Sequence, residues 1–244
     1  MSIIRPFHQN VNRLENLERW SYIASIQHYG DDMNDRPSWE QTYMTMCYQI
    51  ARRSRDLSTH AGTVITTVDH VPVSFGYNSF PRGINFEGEI GKDGLPARQS
   101  RIDGEKYHWM EHAERNAIYN ANRTGVPLLG SRLYVNWVPC TDCARAIIQS
   151  GIREVIIHKQ GQMAFDHSRM PDGTVWTAEA DKWDASHQKS WGMMEETGIT
   201  VNWFDGILDC DVRGYFSGKE YRFIERAPSG LGLSSERFPT FERV

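Results

Sequence analysis

The sequence contains 244 residues, of which 39% are hydrophobic and 24% charged, and its formal net charge is −4. A chain of this length can bury one substantial core, and the composition is typical of an ordinary globular protein in solution. No apolar run reaches the roughly 18 residues that a membrane span needs, and the first residues lack the apolar core of a signal peptide. We therefore expect a cytoplasmic protein with no membrane partner.

The charge distribution also bears on the partners. Basic runs such as "ARRSR" at 51–55 are short and isolated. This argues against a polymeric nucleic acid but not against a single nucleotide, whose phosphate needs only one or two cations. In a reducing compartment we expect no disulfide framework among the four cysteines, which are Cys47, Cys140, Cys143 and Cys210.

The N-terminal part of the chain predicts helices followed by a hairpin. Residues 12–28 carry apolar residues at helical spacing, which predicts a helix within an N-terminal extension over 1–38. Ser38 followed three residues later by Gln41 is a capping-box pattern, and it predicts a helix over 39–53. The β-rich runs "GTVITTVD" and "VPVSFGY" then predict the two strands of a hairpin.

The rest of the chain alternates loops, helices and strands. The glycine- and charge-rich residues 83–106 predict a long, mobile loop, and residues 160–181 form a second polar, turn-rich stretch. We expect helices over 112–123, 140–149 and 182–197, and strands over 131–137, 153–158 and 199–204. Residues 205–244 predict a C-terminal extension with a hairpin at 214–223 and a tail.

This order of elements predicts an α/β fold, a three-layer sandwich with a mixed five-stranded sheet in the middle. The helix over 182–197 lies between the last two strands, so it forms a crossover connection. A crossover joins parallel strands, whereas a tight turn joins antiparallel ones, so we expect the last two strands to be parallel. The sandwich is expected to occupy residues 39–204.

Four residues form the pattern that carries chemistry. His112 and Glu114 stand two apart in the first turn of one predicted helix, and Cys140 and Cys143 stand three apart in the first turn of another. The cysteines share a helix face, and the N–H groups at a helix start stabilise thiolates. One histidine and two thiolates are three zinc ligands, and a catalytic zinc leaves its fourth position to water. Zinc lowers the pKa of that water from about 16 to about 7, and Glu114, which is not a ligand, is placed to move its proton.

The combined pattern, H-x-E followed by P-C-x-x-C, is the signature of zinc-dependent deaminases. A redox pair of cysteines would leave the His-x-Glu half unexplained. A structural four-ligand zinc would need a further ligand, but Cys47 lies on an apolar helix stripe and Cys210 has no patterned partner. His108 and His158 are expected to be ordinary hydrogen-bonding side chains.

Beyond the zinc motif, the chain resembles the deoxycytidylate (dCMP) deaminase family over roughly residues 39–204. The resemblance is carried by "MTMCYQIARRSRDLSTHAGTVI", "GYNSFPRG", "HAERNAIYNANRTG", "SRLYVNWVPCTDCARAIIQSGIREVIIH" and "EETGITV", in that order. It implies a cytidine-deaminase-like fold, in which the dCMP and tRNA-editing branches have parallel last strands. It also implies hydrolytic deamination of dCMP to dUMP and ammonia in pyrimidine deoxynucleotide metabolism.

The resemblance assigns roles to the motif residues. His112, Cys140 and Cys143 are expected to bind one catalytic zinc ion. Glu114 is expected to protonate N3 of the cytosine ring and to carry a proton to the departing ammonia, while a hydroxide attacks C4. The backbone N–H of Ala113 is expected to hold the pyrimidine O2.

Three further residues are candidate substrate contacts. By the resemblance, Asn78 lies near the sugar and Ser54 near the 5′-phosphate. Arg82 is a second candidate phosphate ligand, because a guanidinium can bind phosphate in bidentate fashion. The alternatives stay open: Arg82 as a solvated turn residue, Ser54 as a helix-ending hydroxyl and Asn78 as a turn residue.

The sequence departs from the family in one loop and leaves several properties open. Some members bind a second, structural zinc through cysteine and histidine in the loop before the catalytic histidine. Residues 83–107 contain neither, so we predict no second zinc. Regulation by dCTP and dTTP, which some members show, stays open. We expect a homo-oligomer, a hexamer or a dimer, acting on a small-molecule deoxynucleotide.

Three other functions compete with dCMP deamination. The same chemistry could act on a 5-substituted dCMP or another nucleotide. A deaminase that edits tRNA or single-stranded DNA needs a basic groove, which the net charge of −4 disfavours. A non-catalytic zinc-binding protein is disfavoured because all four catalytic positions are intact.

Overall fold

The structure is a computed structural model that describes residues 36–85, 87–92, 94–100, 105–162, 178–206, 208, 212–216, 218–223 and 241–243. The chain divides into two compact units, Met1–Arg36 and Pro37–Val244. The helix predicted over 12–28 and most of the stretch 160–181 lie outside the described residues, as does Cys210. None of the described helices is both long enough and apolar enough to span a membrane.

Five strands form one mixed sheet. They are β1 (Gly62–Thr66), β2 (Pro72–Tyr77), β3 (Arg132–Val135), β4 (Glu154–His158) and β5 (Thr200–Phe204), in the spatial order β2-β1-β3-β4-β5. Strand β1 is antiparallel to β2 and to β3, whereas β3–β4 and β4–β5 are parallel. The predicted hairpin, the mixed five-stranded sheet and the parallel last pair are confirmed.

Helices accompany the sheet in the part of the chain that the structure describes, and their ends follow local chemistry. They are α1 (Trp39–Ala51), α2 (Lys106–Trp109), α3 (Ala113–Thr124), α4 (Thr141–Gln149) and α5 (Ala178–Glu196). The Ser38 hydroxyl accepts a hydrogen bond from the Gln41 N–H at 3.1 Å, which caps α1 as predicted. Gly125, with φ of 69°, ends α3 in the left-handed conformation that glycine adopts without strain. Helix α5 extends further towards the N-terminus than the predicted 182–197.

The sheet is covered on both faces, which confirms the three layers. On one face, α3, α4 and α5 bury Ala117, Ala144, Ile147 and Met194 against Ile65, Leu133, Val135, Val155 and Ile157 of the sheet. On the other face, α1 buries Tyr43, Met44, Cys47 and Tyr48 against Val64, Tyr134 and Ile156. Cys47 is fully buried and its thiol donates to the Tyr134 carbonyl, so it is a core residue as expected.

The prediction of a mobile loop over 83–106 is wrong for residues 97–100 and for Lys106. Gln99, Ser100 and Lys106 are buried, and a 3-10 helix covers Ala97–Gln99. The Gln99 side chain donates to the Arg55 carbonyl at 2.9 Å and accepts from the Leu57 N–H at 3.2 Å. These contacts join the segment to a chain region more than forty residues earlier, which local sequence patterns do not reveal.

The C-terminal extension contains the predicted hairpin and one additional strand. Strands β6 (Arg213–Phe216), β7 (Lys219–Phe223) and β8 (Phe241–Arg243) form an antiparallel three-stranded sheet. Phe216 is fully buried in the α1-face core, where its ring lies 5.0 Å from that of Trp137. The hairpin therefore packs on the sandwich.

Candidate active site

The first residues of helices α3 and α4 lie close together near the carboxyl end of strand β3. Helix α3 begins directly after His112, and α4 begins directly after Cys140, which a short loop connects to the end of β3. His112 and Cys140 are the capping residues and have extended backbones, rather than lying in the first helical turn as predicted. In a helix, the side chains of residues two apart, such as His112 and Glu114, point in different directions. Because the backbone of His112 is extended, its side chain does not follow this helical geometry.

The three predicted ligands converge. His112 Nδ1 lies 3.5 Å from Cys140 Sγ and 3.5 Å from Cys143 Sγ, and the three donor atoms all lie within 4.8 Å of one another. Tetrahedral zinc, with Zn–S of about 2.3 Å and Zn–N of about 2.0–2.1 Å, places nitrogen and sulfur about 3.5 Å apart. The donor set therefore fits a zinc ion. Within the described part of the chain, no second group of three such side chains meets the same spacing.

Burial and neighbouring groups shift the pKa values of all three donor side chains. A hydrogen bond with the Cys143 thiol and the nearby His112 lower the pKa of Cys140 to about 3, although burial opposes the shift. Burial would lower the pKa of His112, but the hydrogen bond with Cys140 and the negative charges around it raise the pKa instead. Burial raises the pKa of Cys143 well above its ordinary value, and a bound cation would stabilise the thiolate form of both cysteines.

Glu114 occupies the first turn of α3 and is almost fully buried. Burial raises the pKa of its carboxyl group, because the charged form loses its hydration. A carboxyl group with a raised pKa exchanges protons more readily near neutral pH than an exposed one does. The position and environment of Glu114 therefore suit proton transfer.

Arg115, which was not among the predicted site residues, links the two helix starts. Its guanidinium forms an ion pair with Glu111 and lies 3.5 Å from Asp142 Oδ2 in the first turn of α4. Glu111 also accepts from the His112 N–H at 3.2 Å. The available signal was the spacing of four residues between Glu111, just before α3, and Arg115 within it.

A buried polar cluster includes residues of the loop between β3 and α4, which ends at Cys140. Asn136 is fully buried and accepts from the Gly62 N–H at 2.6 Å, which joins this loop to the start of β1. The Tyr48 hydroxyl lies 2.7 Å from His158 Nδ1. A Cβ atom added at Gly161 would lie 2.3 Å from that hydroxyl and 2.4 Å from the Asn136 carbonyl oxygen. His158 is thus a hydrogen-bonding side chain, as expected; His108 is exposed.

Asn78 and Ser54 are brought together beside the site. Ser79 and Glu111 exchange two backbone hydrogen bonds of 3.0 and 2.9 Å, which place Asn78 next to the segment entering His112. The Ser54 hydroxyl donates to the Asn78 carbonyl at 2.8 Å. Ala113, also buried, is the first residue of α3, where backbone N–H groups have no partner within the helix. The substrate roles of these residues stay predictions.

Arg82 is exposed and faces α3 rather than Ser54. Its guanidinium donates to Asn120 Oδ1 at 2.5 Å, and Asn120 in turn donates to the Phe75 carbonyl at 2.7 Å. The structure therefore gives Arg82 a protein partner outside the zinc cluster. Its role as a phosphate ligand stays a prediction.

Known proteins resemble the region that contains this site. A family model described as the cytidine and deoxycytidylate deaminase zinc-binding region matches residues 37–159, which include His112, Glu114, Cys140 and Cys143. Human deoxycytidylate deaminase is 37% identical over 126 residues, covering 50% of this chain and 66% of the human protein. This chain thus matches slightly less than two thirds of that relative's length.

Two further similarities extend over more of the chain. ComE operon protein 2 of Bacillus subtilis is 34% identical over 170 residues, covering 68% of this chain and 71% of that protein. The crystal structure of dCMP deaminase from the cyanophage S-TIM5, in complex with dCMP and dUMP, is 17% identical and has a TM-score of 0.45. It covers 69% of this chain and 98% of the phage protein.

Proposed function

Because this chain belongs to the cytidine and deoxycytidylate deaminase family, we propose that it converts dCMP and water to dUMP and ammonia. The observation that carries the proposal is the convergence of His112, Cys140 and Cys143 with the buried Glu114 beside them. The matched human protein, which is named deoxycytidylate deaminase, supports dCMP as the substrate. We assign the reaction to residues 39–204, with 1–38 and 205–244 as extensions.

We propose one catalytic zinc ion per chain, held by His112, Cys140 and Cys143. The nitrogen–sulfur distances of 3.5 Å and the lowered pKa of Cys140 support this assignment. When bound, zinc supplies a water molecule acidic enough to lose a proton near neutral pH. No second, structural zinc is proposed, since residues 83–107 contain neither cysteine nor histidine.

In the proposed reaction, Glu114 moves the protons. Its carboxylate accepts a proton from the attacking water and delivers it to N3 of the cytosine ring as a C4–O bond forms. A second proton passes through Glu114 to the amino nitrogen, and the C4–N bond breaks to release ammonia. The raised pKa and nearly complete burial of Glu114 support both transfers, because each requires a group that exchanges protons without bulk water.

We propose that neighbouring residues bind the rest of the nucleotide. The Ala113 N–H holds the pyrimidine O2, Asn78 lies near the sugar, and Ser54 and Arg82 bind the 5′-phosphate. The hydrogen bond between Ser54 and Asn78 supports a common sugar–phosphate region, while the exposure of Arg82 leaves its guanidinium accessible to a ligand. The substrate is a small molecule rather than a polymer, in keeping with the net charge of −4.

We propose that the protein is a homo-oligomer, either a hexamer or a dimer. We also propose that it acts on free nucleotides in the cytoplasm. Mass photometry of the purified chain tests the assembly, and a single species at the monomer mass of 28.1 kDa contradicts it. Repeating the activity measurement with dCTP or dTTP added tests whether either nucleotide changes the rate.

The direct test of the reaction is ammonia release from a panel of substrates. The panel contains dCMP, 5-methyl-dCMP, 5-hydroxymethyl-dCMP, CMP, dCTP, deoxycytidine, dAMP and a single-stranded oligonucleotide. We expect turnover of dCMP above the other compounds. Turnover restricted to a 5-substituted dCMP would keep the mechanism and change the substrate. Turnover of the oligonucleotide alone, or no turnover by zinc-loaded protein, would overturn the proposal.

A further inference from the structure

Asp56 is the centre of a buried hydrogen-bond network beside the proposed sugar-binding region. Asp56 Oδ1 accepts from the Ser58 N–H at 2.8 Å, the Ser58 hydroxyl at 2.9 Å and the Thr59 N–H at 3.1 Å. Asp56 Oδ2 lies 2.6 Å from Lys106 Nζ and accepts from Asn78 Nδ2 at 3.0 Å. One carboxylate thus joins the loop after α1, the end of β2 and the start of α2.

Lys106 balances the charge of this carboxylate. The side chains of Lys106 and Asp56 are only 8% and 2% exposed, and Lys106 also donates to the Ser58 hydroxyl at 2.6 Å. A buried charge is costly unless it is paired and hydrogen-bonded, and removing one partner leaves the other charge uncompensated. Lys106 begins α2, the short helix that precedes His112, so the ion pair also joins the network to the segment entering the zinc cluster.

The network fixes which way the Asn78 amide points. Asn78 Nδ2 donates to two acceptors, Asp56 Oδ2 at 3.0 Å and the Thr59 carbonyl at 2.7 Å, while Asn78 Oδ1 accepts from the Ala61 N–H at 2.7 Å. The reversed amide would place NH₂ against the Ala61 N–H and oxygen against a carboxylate and a carbonyl. The orientation of the Asn78 amide is therefore set by its partners, and its oxygen, which accepts one hydrogen bond here, has the capacity to accept a second.

We propose that Asp56 is a positioning residue for nucleotide binding. It holds the Asn78 amide so that Oδ1 accepts a hydrogen bond from a hydroxyl group of the nucleotide sugar, and Lys106 keeps the charge of Asp56 compensated. Asp56 itself contacts neither the base nor the reacting atoms. This inference rests on the proposed function, because it assumes that the site binds a nucleotide.

The variant Asp56→Asn tests the orientation directly. The backbone N–H groups of Ser58 and Thr59 require an acceptor, so the new amide keeps its oxygen towards them and turns its NH₂ towards Asn78 and Lys106. Donors then face donors, and Asn78 must shift or reverse. We expect KM for dCMP to rise about tenfold, the change typical of one lost hydrogen bond, with kcat within about threefold and the zinc content unchanged.

Two further variants separate positioning from stability. Glu154→Gln weakens the ion pair between Glu154 and Arg132 Nε, which are 2.6 Å apart at the amino ends of β3 and β4. This variant is expected to have a lower melting temperature and an unchanged KM. The double variant Asp56→Asn/Lys106→Met removes both buried charges, and is expected to melt higher than Asp56→Asn while keeping the raised KM. An unchanged KM in Asp56→Asn, or a KM that recovers with the melting temperature, would overturn the proposal.

A measurement that needs no turnover keeps this inference separate from the proposed reaction. The side-chain ¹⁵NH₂ group of Asn78, assigned by comparison with Asn78→Asp, is expected to show two resonances protected from solvent exchange. Asp56→Asn is expected to shift both resonances and to remove the protection. If dCMP is not turned over by the wild-type protein, the proposed function fails, but this measurement still decides the role of Asp56: unchanged Asn78 resonances would refute it.

Discussion

At the scale of single residues, two buried acids of the site have pKa values shifted in opposite directions. Removal from water raises the pKa of Glu114, whereas Cys140, buried beside the hydrogen-bonding groups of Cys143 and His112, has its pKa lowered to about 3. The glutamate is thereby suited to hold and release a proton, and the cysteine is suited to lose one to a metal. Neighbouring groups, rather than depth alone, decide which behaviour each residue shows.

The variant Glu114→Gln is expected to abolish turnover and to leave the metal site intact. Glutamine keeps the shape of the side chain but cannot carry a proton, so we expect kcat to fall by about 10²–10⁴-fold. Ammonia release gives the rate, and metal analysis of the same sample gives the zinc content. A variant with more than about a tenth of the wild-type rate would show that another group moves the proton.

His158 gives a prediction for stability against pH. Burial lowers the pKa of His158 to about 3 in the folded protein, whereas an unfolded histidine titrates near 6.5. Below about pH 6.5 the unfolded chain binds the extra proton and the folded chain does not, so stability falls as the pH falls from 6.5 towards 3. His158 is expected to contribute at most about 1.4 kcal/mol per pH unit to this loss.

Urea unfolding at several pH values between 5 and 8 measures this contribution. We expect the free energy of unfolding of the wild-type protein to decline more steeply below pH 6.5 than that of His158→Gln, which cannot take up the proton. The comparison uses the slopes, since the substitution also lowers stability at every pH through the lost contact with Tyr48. Equal slopes for the two proteins would contradict the prediction.

At the scale of helices and strands, the sequence predicted those features that local chemistry determines. Ser38 and Gly125 marked helix ends, and the crossover helix required parallel last strands. The residues proposed to bind zinc, together with Glu114, were likewise singled out from the sequence, because each pair has a short spacing at a predicted helix start. Asp56 and Lys106 were not, because their pairing joins residues fifty positions apart and leaves no periodic signal in either segment.

Gly76 shows how strand β2 determines the position of helix α3. A Cβ atom at Gly76 would lie 2.3 Å from the Ala113 carbonyl oxygen and 2.4 Å from the Ala117 nitrogen, both in the backbone of α3. Gly76→Ala must therefore push the start of α3, with Glu114 and the adjoining His112, away from the sheet. We expect a loss of about 1–3 kcal/mol in the free energy of unfolding and weaker zinc binding in a chelator competition.

The matched control for this variant is Gly192→Ala in α5. A Cβ atom at Gly192 meets no heavy atom within 4 Å, and alanine favours helices over glycine. This variant is expected to keep the wild-type zinc affinity and to be at least as stable. Equal zinc affinity in both variants would show that α3 tolerates the displacement.

At the scale of the whole molecule, the C-terminal hairpin is part of the main core. Phe216 from β6 is fully buried among α1 residues and Trp137, although the matched family region ends at residue 159. The sequence predicted the hairpin but not this burial, because the contact joins the C-terminal extension to α1 and to the loop after β3. Chain regions outside the family match thus contribute to the stability of the sandwich.

The variant Phe216→Ala measures that contribution. Truncation of a fully buried phenylalanine is expected to cost about 3–5 kcal/mol in the free energy of unfolding. The control is Phe75→Ala, whose side chain is 53% exposed and should cost much less. Denaturant unfolding of both variants gives the comparison. Similar losses would show that Phe216 does not belong to the cooperative core.

The contacts of β6 and of the turn that follows it also determine when residues 58–60 can reach their final conformation during synthesis of the chain. The His60 N–H bonds to the Tyr215 carbonyl, and the Gly218 N–H bonds to the Ser58 carbonyl, each at 2.8 Å. The ribosome translates residues 58–60 before their partners, which follow about 155 to 160 residues later in the chain. A nascent chain therefore cannot complete this loop, which adjoins Asp56, until residues 215–218 have been translated, so the proposed nucleotide site matures after the strands of the sandwich have been made.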